Sequence, residues 1–142
     1  MHRLSLTQAN ALIQAAFAHG AGLGLKPLTV AVLDPGGYLI AAQRADGASN
    51  VRVRLAQGKA AGALALGVSS RTIGTMAEER PHFVAAVREL GEGGMVPAAG
   101  GVIVCDAEGT TLGAIGVTGD TSDNDEACAL AAIESAGLQA KR

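Results

Sequence analysis

A chain of 142 residues with no polar, low-complexity linker reads as one domain spanning 1–142, and its net charge of −2 with scattered Lys and Arg excludes the clustered basic surface that nucleic acid requires. No apolar run approaches the roughly 20 residues that cross a bilayer, and the N-terminal MHRLSLTQAN lacks a charged segment leading into an apolar one, so a cytoplasmic protein without a membrane partner is expected. Hydrophobic residues make up 49% of the chain but aromatic ones only 2%, so the core must come from Ala, Val, Leu and Ile. Small side chains bury little area each, at about 25 cal/mol per Å², and further burial between copies is expected to make the protein a homo-oligomer.

Apolar residues at Ala9, Leu12, Ile13, Ala16 and Phe17 recur with a period near 3.6 and predict a helix over 6–19, capped by Ser5 or Thr7 and closed by Gly20, Gly22 and Gly24. An apolar, β-branched run over 28–33 follows, then Asp34-Pro35-Gly36-Gly37, then a second run over 38–42. Asp first, Pro second and Gly fourth suit a type I turn whose last residue goes left-handed, which predicts a hairpin and a positive φ at Gly37. The same pattern returns in the run over 101–105, Asp106-Ala107-Glu108-Gly109 and the run over 112–117, with Gly109 in the equivalent place.

Between the hairpins, Val51, Leu55, Ala56, Ala60, Ala63 and Leu64 predict a helix over 50–66. Gly58 and Gly62 weaken it by about 1 kcal/mol each relative to Ala, which suggests close packing against another backbone. A short helix over 69–76 and a second one from Pro81 to Leu90 come next. The last helix starts at Thr121 or Ser122 and runs to about Leu138, with Asp123, Asp125 and Glu126 complementing the helix dipole in its first turn. Two antiparallel hairpins separated by helices predict α+β layers rather than a doubly wound fold.

Several constellations bear on chemistry. GxxxxGK[ST] is absent, and the run from Gly113 to Gly119 misses the GxGxxG spacing, so these glycines read as strand bulges or close approaches. Cys105 and Cys128 have no CxxC or zinc spacing and read as buried small hydrophobes, and no metal site is expected. The acidic group Asp120, Asp123, Asp125 and Glu126 serves either as a helix cap or as ligands for a hard cation, without EF-hand spacing. Lys59 lies in an apolar stretch, where it either snorkels to solvent or sits in a pocket that lowers its pKa. With Arg52 and Arg54 a turn or two earlier, and Arg44 at the end of the first hairpin, it can present positive charge to a carboxylate. His19 ends an apolar helix face and is either an iron ligand or a partner of the last carbonyls.

TVAVLDPGGYLIAAQRADGA, Lys59-Ala60 in the middle helix, VPAAGGVIV, LGAIGVTGD and DEACALAAI follow one another in this order over most of the chain. In this succession the chain resembles the GlcG/HbpS family, met also as the C-terminal domain of PduO-type proteins and often described as haem-degrading. The resemblance implies an α+β single domain, a five-stranded antiparallel sheet flanked by helices in profilin-like layers, frequent octamers, and haem or another tetrapyrrole as ligand. Two departures stand out: Ile103 where the family often has proline, and Thr118-Gly119-Asp120 where its SGG element is familiar. The second adds a carboxylate and points to a more polar ligand.

The leading expectation is a small-ligand or haem-binding accessory protein, with His19, Arg44, Arg54, Thr118, Gly119 and Asp120 as ligand-binding residues. The alternative is a cofactor-independent enzyme acting on a small carboxylated metabolite, with Arg54 or Lys59 holding the carboxylate and Asp125 or Glu126 moving a proton; Lys59, Asp125 and Glu126 are its catalytic candidates. A third reading is a structural assembly subunit. In the first two, the site lies between the strand end at 118–120, the helix start at 122–126 and a basic residue of the middle helix.

Overall fold

The computed structural model describes residues 2–142. Ten elements follow one another: α1 (Leu6–Gly22), β1 (Thr29–Leu33), β2 (Leu39–Arg44), α2 (Arg52–Leu66), α3 (Ser70–Glu79), α4 (Pro81–Arg88), β3 (Gly101–Cys105), β4 (Thr111–Thr118), α5 (Ser122–Ser135) and β5 (Gln139–Lys141). The strands form one antiparallel sheet in the order β2-β1-β4-β3-β5, the α+β architecture expected.

Both hairpins are built on the same turn chemistry. Asp34 Oδ1 accepts from the amides of Gly36 and Tyr38, and Asp106 Oδ1 accepts from those of Glu108 and Thr110. The fourth residue of each turn, Gly37 at φ 89° and Gly109 at φ 83°, donates its amide back to the Asp carbonyl. An Asp side chain that satisfies two amides and a Gly that enters the left-handed region without a Cβ clash define the turn locally. That is why the Asp-x-x-Gly pattern predicts both hairpins.

The two faces of the sheet are filled differently. Val30 and Val32 of β1, Ile115 and Val117 of β4, and Val102 and Val104 of β3 form one core with Leu12, Ile13 and Ala16 of α1 and Cys128, Ala132 and Ile133 of α5. The alternate residues Ala31, Leu33, Ala114, Gly116, Gly101 and Ile103 look toward α2, which answers with Ala56, Ala60 and Ala63. A Cβ on Gly116 would stand 1.9 Å from the Ala56 carbonyl oxygen, and one on Gly101 would stand 2.2 Å from that of Lys59. α2 therefore lies on the sheet backbone to backbone. Its own glycines serve the outer side, where Gly58 and Gly62 make room for Val96 and Met95.

Element ends depart from the sequence reading where glycine acts differently than assumed. α1 runs through Gly20, which is buried beneath Leu28 and Cys128, and turns off only at Gly24, whose φ is 67°. α3 extends to Glu79, and α4 stops at Arg88 rather than Leu90. α5 stops at Ser135, short of Leu138: Gly137 takes φ 71°, and the Leu138 amide reaches back to the Ile133 carbonyl in a 6→1 closure. The chain so released becomes β5 against β3, where Ile103 pairs with Lys141. Proline at this position could not donate to the ladder.

Candidate functional site

The end of β4 and the start of α5 come together over α2 as the acidic cluster suggested, and each carboxylate has a partner. Thr121 caps α5, its hydroxyl accepting from the Asn124 amide. Lys59 Nζ donates to Asp125 Oδ2 at 3.1 Å and to the Val117 carbonyl at 3.0 Å, with the Lys59 and Asp125 side chains only 4% and 2% exposed. Asp125 Oδ1 accepts from the Asp120 amide. Asp120 accepts from the Lys26 amide and from Asn124 Nδ2, and these hydrogen bonds, Asn124's first, pull its pKa down to about 2. Glu126 receives both its oxygens' bonds from Arg71 Nε at 3.1 Å, with Arg142 at 3.6 Å, and Arg71 also pairs with Asp123.

Lys59 is buried rather than snorkelled. Desolvation lowers its pKa; Asp125, by charge and hydrogen bond, opposes that shift, and the Arg52 guanidinium adds to it. The Lys59 ammonium and the Asp125 carboxylate bond each other and neighbouring backbone. What the strand end, the helix start and the basic residue enclose is thus a buried ion pair. Among the described residues no group of three or more His, Cys, Asp or Glu is arranged to hold a metal ion, and the acidic residues act as caps and salt-bridge partners.

The remaining sequence candidates are dispersed. Gly119, at φ 141°, lies where a Cβ would meet the Pro27 carbonyl oxygen at 2.3 Å, so it locks the strand end against 27–28. Thr118 is buried and its hydroxyl accepts from Arg52 Nη1 at 2.8 Å. Arg52, not Arg54, is the arginine that reaches the strand; Arg54 is exposed. Arg44 is exposed at the end of β2 and donates to Asn50 Oδ1. His19 is exposed in the last turn of α1. Both cysteines are free and buried, and burial, aided by Asp125 and Asp120, pushes the Cys128 thiol up to about 11, so it is no thiolate at neutral pH.

A separate cavity of about 650 Å³ opens on the outer side of α2. Its floor is Ala61, Leu64 and Ala65, and its walls are the first hairpin turn at 35–39 and the glycine-rich segment 91–95 that follows α4. Tyr38, 68% exposed, and Arg88 stand on it, and Met95 closes its base. Neither His19 nor the Lys59–Asp125 pair lines it. Arg71 and this cavity escaped the sequence reading. Asp123 and Glu126, three apart on one helix face, signal the need for a cation, but nothing local says that it comes from 55 residues upstream. Glycines at 91, 93 and 94 carry no side-chain pattern at all.

No curated protein matches the sequence significantly. Among solved structures, the PduOC:haem complex shares 23% identity over 99% of each chain with a TM-score of 0.85. A double mutant of Streptomyces reticuli HbpS shares 26% over 95% of this chain and 88% of its own, with a TM-score of 0.81. The Klebsiella pneumoniae protein ORFY shares 22% over 96% and 92%, with a TM-score of 0.85. The family model for haem degrading protein HbpS-like matches residues 4–134, nearly the whole span of the sheet and its helices, and the chain belongs to that HbpS-like family.

Proposed function

We propose that this protein binds haem or a related tetrapyrrole in the cavity on the outer side of α2, and that it does so as a homo-oligomer. The carrying observation is the cavity's fit to such a ligand. A space of about 650 Å³ with an aliphatic floor is ample for a flat, largely apolar macrocycle, and small-molecule sites commonly have this size. Tyr38 and Met95 are the wall residues with iron-ligating chemistry, phenolate and thioether. Arg88 supplies positive charge for a propionate. Bound there, haem would bring its redox-active iron. This chain's part is to hold the ring against α2 and to admit or exclude water through the open side.

Family membership and a haem complex among the structural relatives support the ligand class. The oligomer is supported by apolar side chains left at the rim, Leu90 at 83% and Leu39 at 49% exposed beside Tyr38, which a second copy would cover; the resemblance favours an octamer. Titrating the purified protein with hemin tests the reading. A saturable Soret shift at one haem per chain is expected, together with light scattering above the monomer mass. A hemin spectrum identical to that in buffer contradicts the ligand class, and a monomer contradicts the assembly.

The acid–base alternative has one observation in its favour, the lowered pKa of Lys59. Weighing against it are the burial of the Lys59 and Asp125 side chains, 4% and 2% exposed, and the engagement of Glu126 by Arg71. Small carboxylates that stabilised the protein only when Lys59 is intact, together with turnover lost in Asp125→Asn, would revive it.

A further inference from the structure

A second, unassigned polar constellation lies at the opposite end of the first hairpin. Cross-strand register places Arg44 of β2, Thr29 of β1 and Thr118 of β4 in one row, since Thr29 pairs with both of the others. Directly paired residues share a face, and this row is on the α2 face: Thr118 takes its hydrogen bond from Arg52, and the alternate residue Gln43 bonds Gln14 of α1. The row therefore ends under the first turn of α2. There Arg52 reaches down to Thr118 and Arg44 is tethered to Asn50, just before the helix.

Three features of this place are unbalanced. α2 is 15 residues long, and its N-cap is Val51, so no side chain accepts from its first-turn amides, the Arg52 amide alone being taken by the Ser49 carbonyl; this turn carries the positive end of the helix dipole. Among the described residues Arg44, Arg52 and Arg54 pair with no carboxylate, and Arg52 is near enough to Lys59 to disfavour its charge. The Thr29 hydroxyl, in a residue with no exposed surface, has no hydrogen-bond partner, the one such side-chain atom among the described residues. Buried hydroxyls in folded proteins are nearly always paired.

We propose that the start of α2 is a binding site for a small oxyanion, a carboxylate or phosphate group. Its oxygens would accept from Arg52 and the first-turn amides and, on the sheet side, from the Thr29 hydroxyl, with Arg44 closing the outer edge. Donors of this kind, a guanidinium fork, a hydroxyl and helix N-terminal amides, are the standard set for anions. The site is distinct from the cavity. β2 begins at Leu39 on the cavity wall and ends at Arg44, about 17 Å away at the usual rise per strand residue.

Thermal melts and calorimetry with malonate and with inorganic phosphate, against sodium chloride at matched ionic strength, test the proposal and separate its two sources. Wild type should melt several degrees higher with one of the two anions. Arg52→Gln should weaken that anion's Kd by about tenfold or more, as expected for loss of a charge-assisted bond. Thr29→Val, which keeps the shape, should leave the melting point without anion unchanged or raised but shrink the anion-induced rise. No rise above the chloride control, or an equal rise in wild type, Arg52→Gln and Thr29→Val, overturns the site. If Arg52→Gln does not fold, Thr29→Val alone decides.

Discussion

The two faces of the sheet solve the same problem by opposite means. On the α1/α5 face, branched side chains from both layers interlock, and the helices stand off by the length of a Val, Leu or Ile. On the α2 face, Gly101 and Gly116 remove the side chains, and the helix carbonyls rest directly on the strands. The first kind of packing is bulk burial and tolerates adjustment. The second fixes α2 by backbone contact, and so it can hold charged groups in place along it, Lys59 buried at mid-helix against Asp125 and the half-buried Arg52 at its start against Thr118. A chain with so few large residues gains rigidity where it has least to bury.

The sharpest way to break this contrast is at the buried pair. Asp125→Ala should lower stability by about 3–5 kcal/mol, the usual effect of stranding a buried charge, measured by urea denaturation. The double variant Lys59→Met/Asp125→Asn, which retains an acceptor for the Asp120 amide, should recover most of that loss. If Asp125→Ala unfolds no more easily than wild type, Lys59 is not held as the structure places it. Next comes the steric test: Gly116→Ala should destabilise by about 3 kcal/mol or more, since backbone oxygen cannot yield as a side chain does. On the other face Ile115→Val, one methylene smaller in the branched core, should cost only about 0.5–1.5 kcal/mol. Equal effects at 115 and 116 would erase the distinction between the faces.

Gly37→Val separates conformational strain from steric conflict, because a Cβ there meets nothing within 4 Å and only the positive φ resists it. A loss of about 1–2 kcal/mol is expected. The smallest effect is that of pH. Asp120 is depressed in the folded state, so its contribution is complete above its ordinary value of 3.8 and disappears as pH falls through about 2. Asp120→Asn should flatten the acid limb of the stability curve in that window. Lys59 gives a slope of the same sign at the alkaline end, but as a penalty that is relieved: its folded pKa lies below 10.5, so the unfolded chain binds the extra proton, and the penalty for burying it should fade as pH rises toward 10.5.

How much of this was readable from the residues follows from the range of each interaction. The hairpins were legible because Asp34 with Gly37, and Asp106 with Gly109, satisfy their turns within four residues. The pairing of a middle-helix cation with the α5 start was legible as a charge imbalance, but it left Lys59 and Arg54 both open. It did not select Arg52 over Arg54, a choice made by which side of α2 rests on β4. β5 was hidden because helical periodicity runs on through Leu138, although Gly137 marks the stop. The cavity was invisible because it is made where 35–39 and 91–95 meet over α2, segments with almost no side-chain pattern. Thr29 looks like any strand threonine until its partners are sought.

Hydrogen exchange with and without hemin tests most directly whether ligand binds on the outer side of α2 or at the start of α5. Binding in the cavity should add protection at 35–39, 61–65 and 88–95 and leave the amides of 118–126 unchanged. Protection concentrated at 118–126, with the cavity segments exchanging as before, would contradict it.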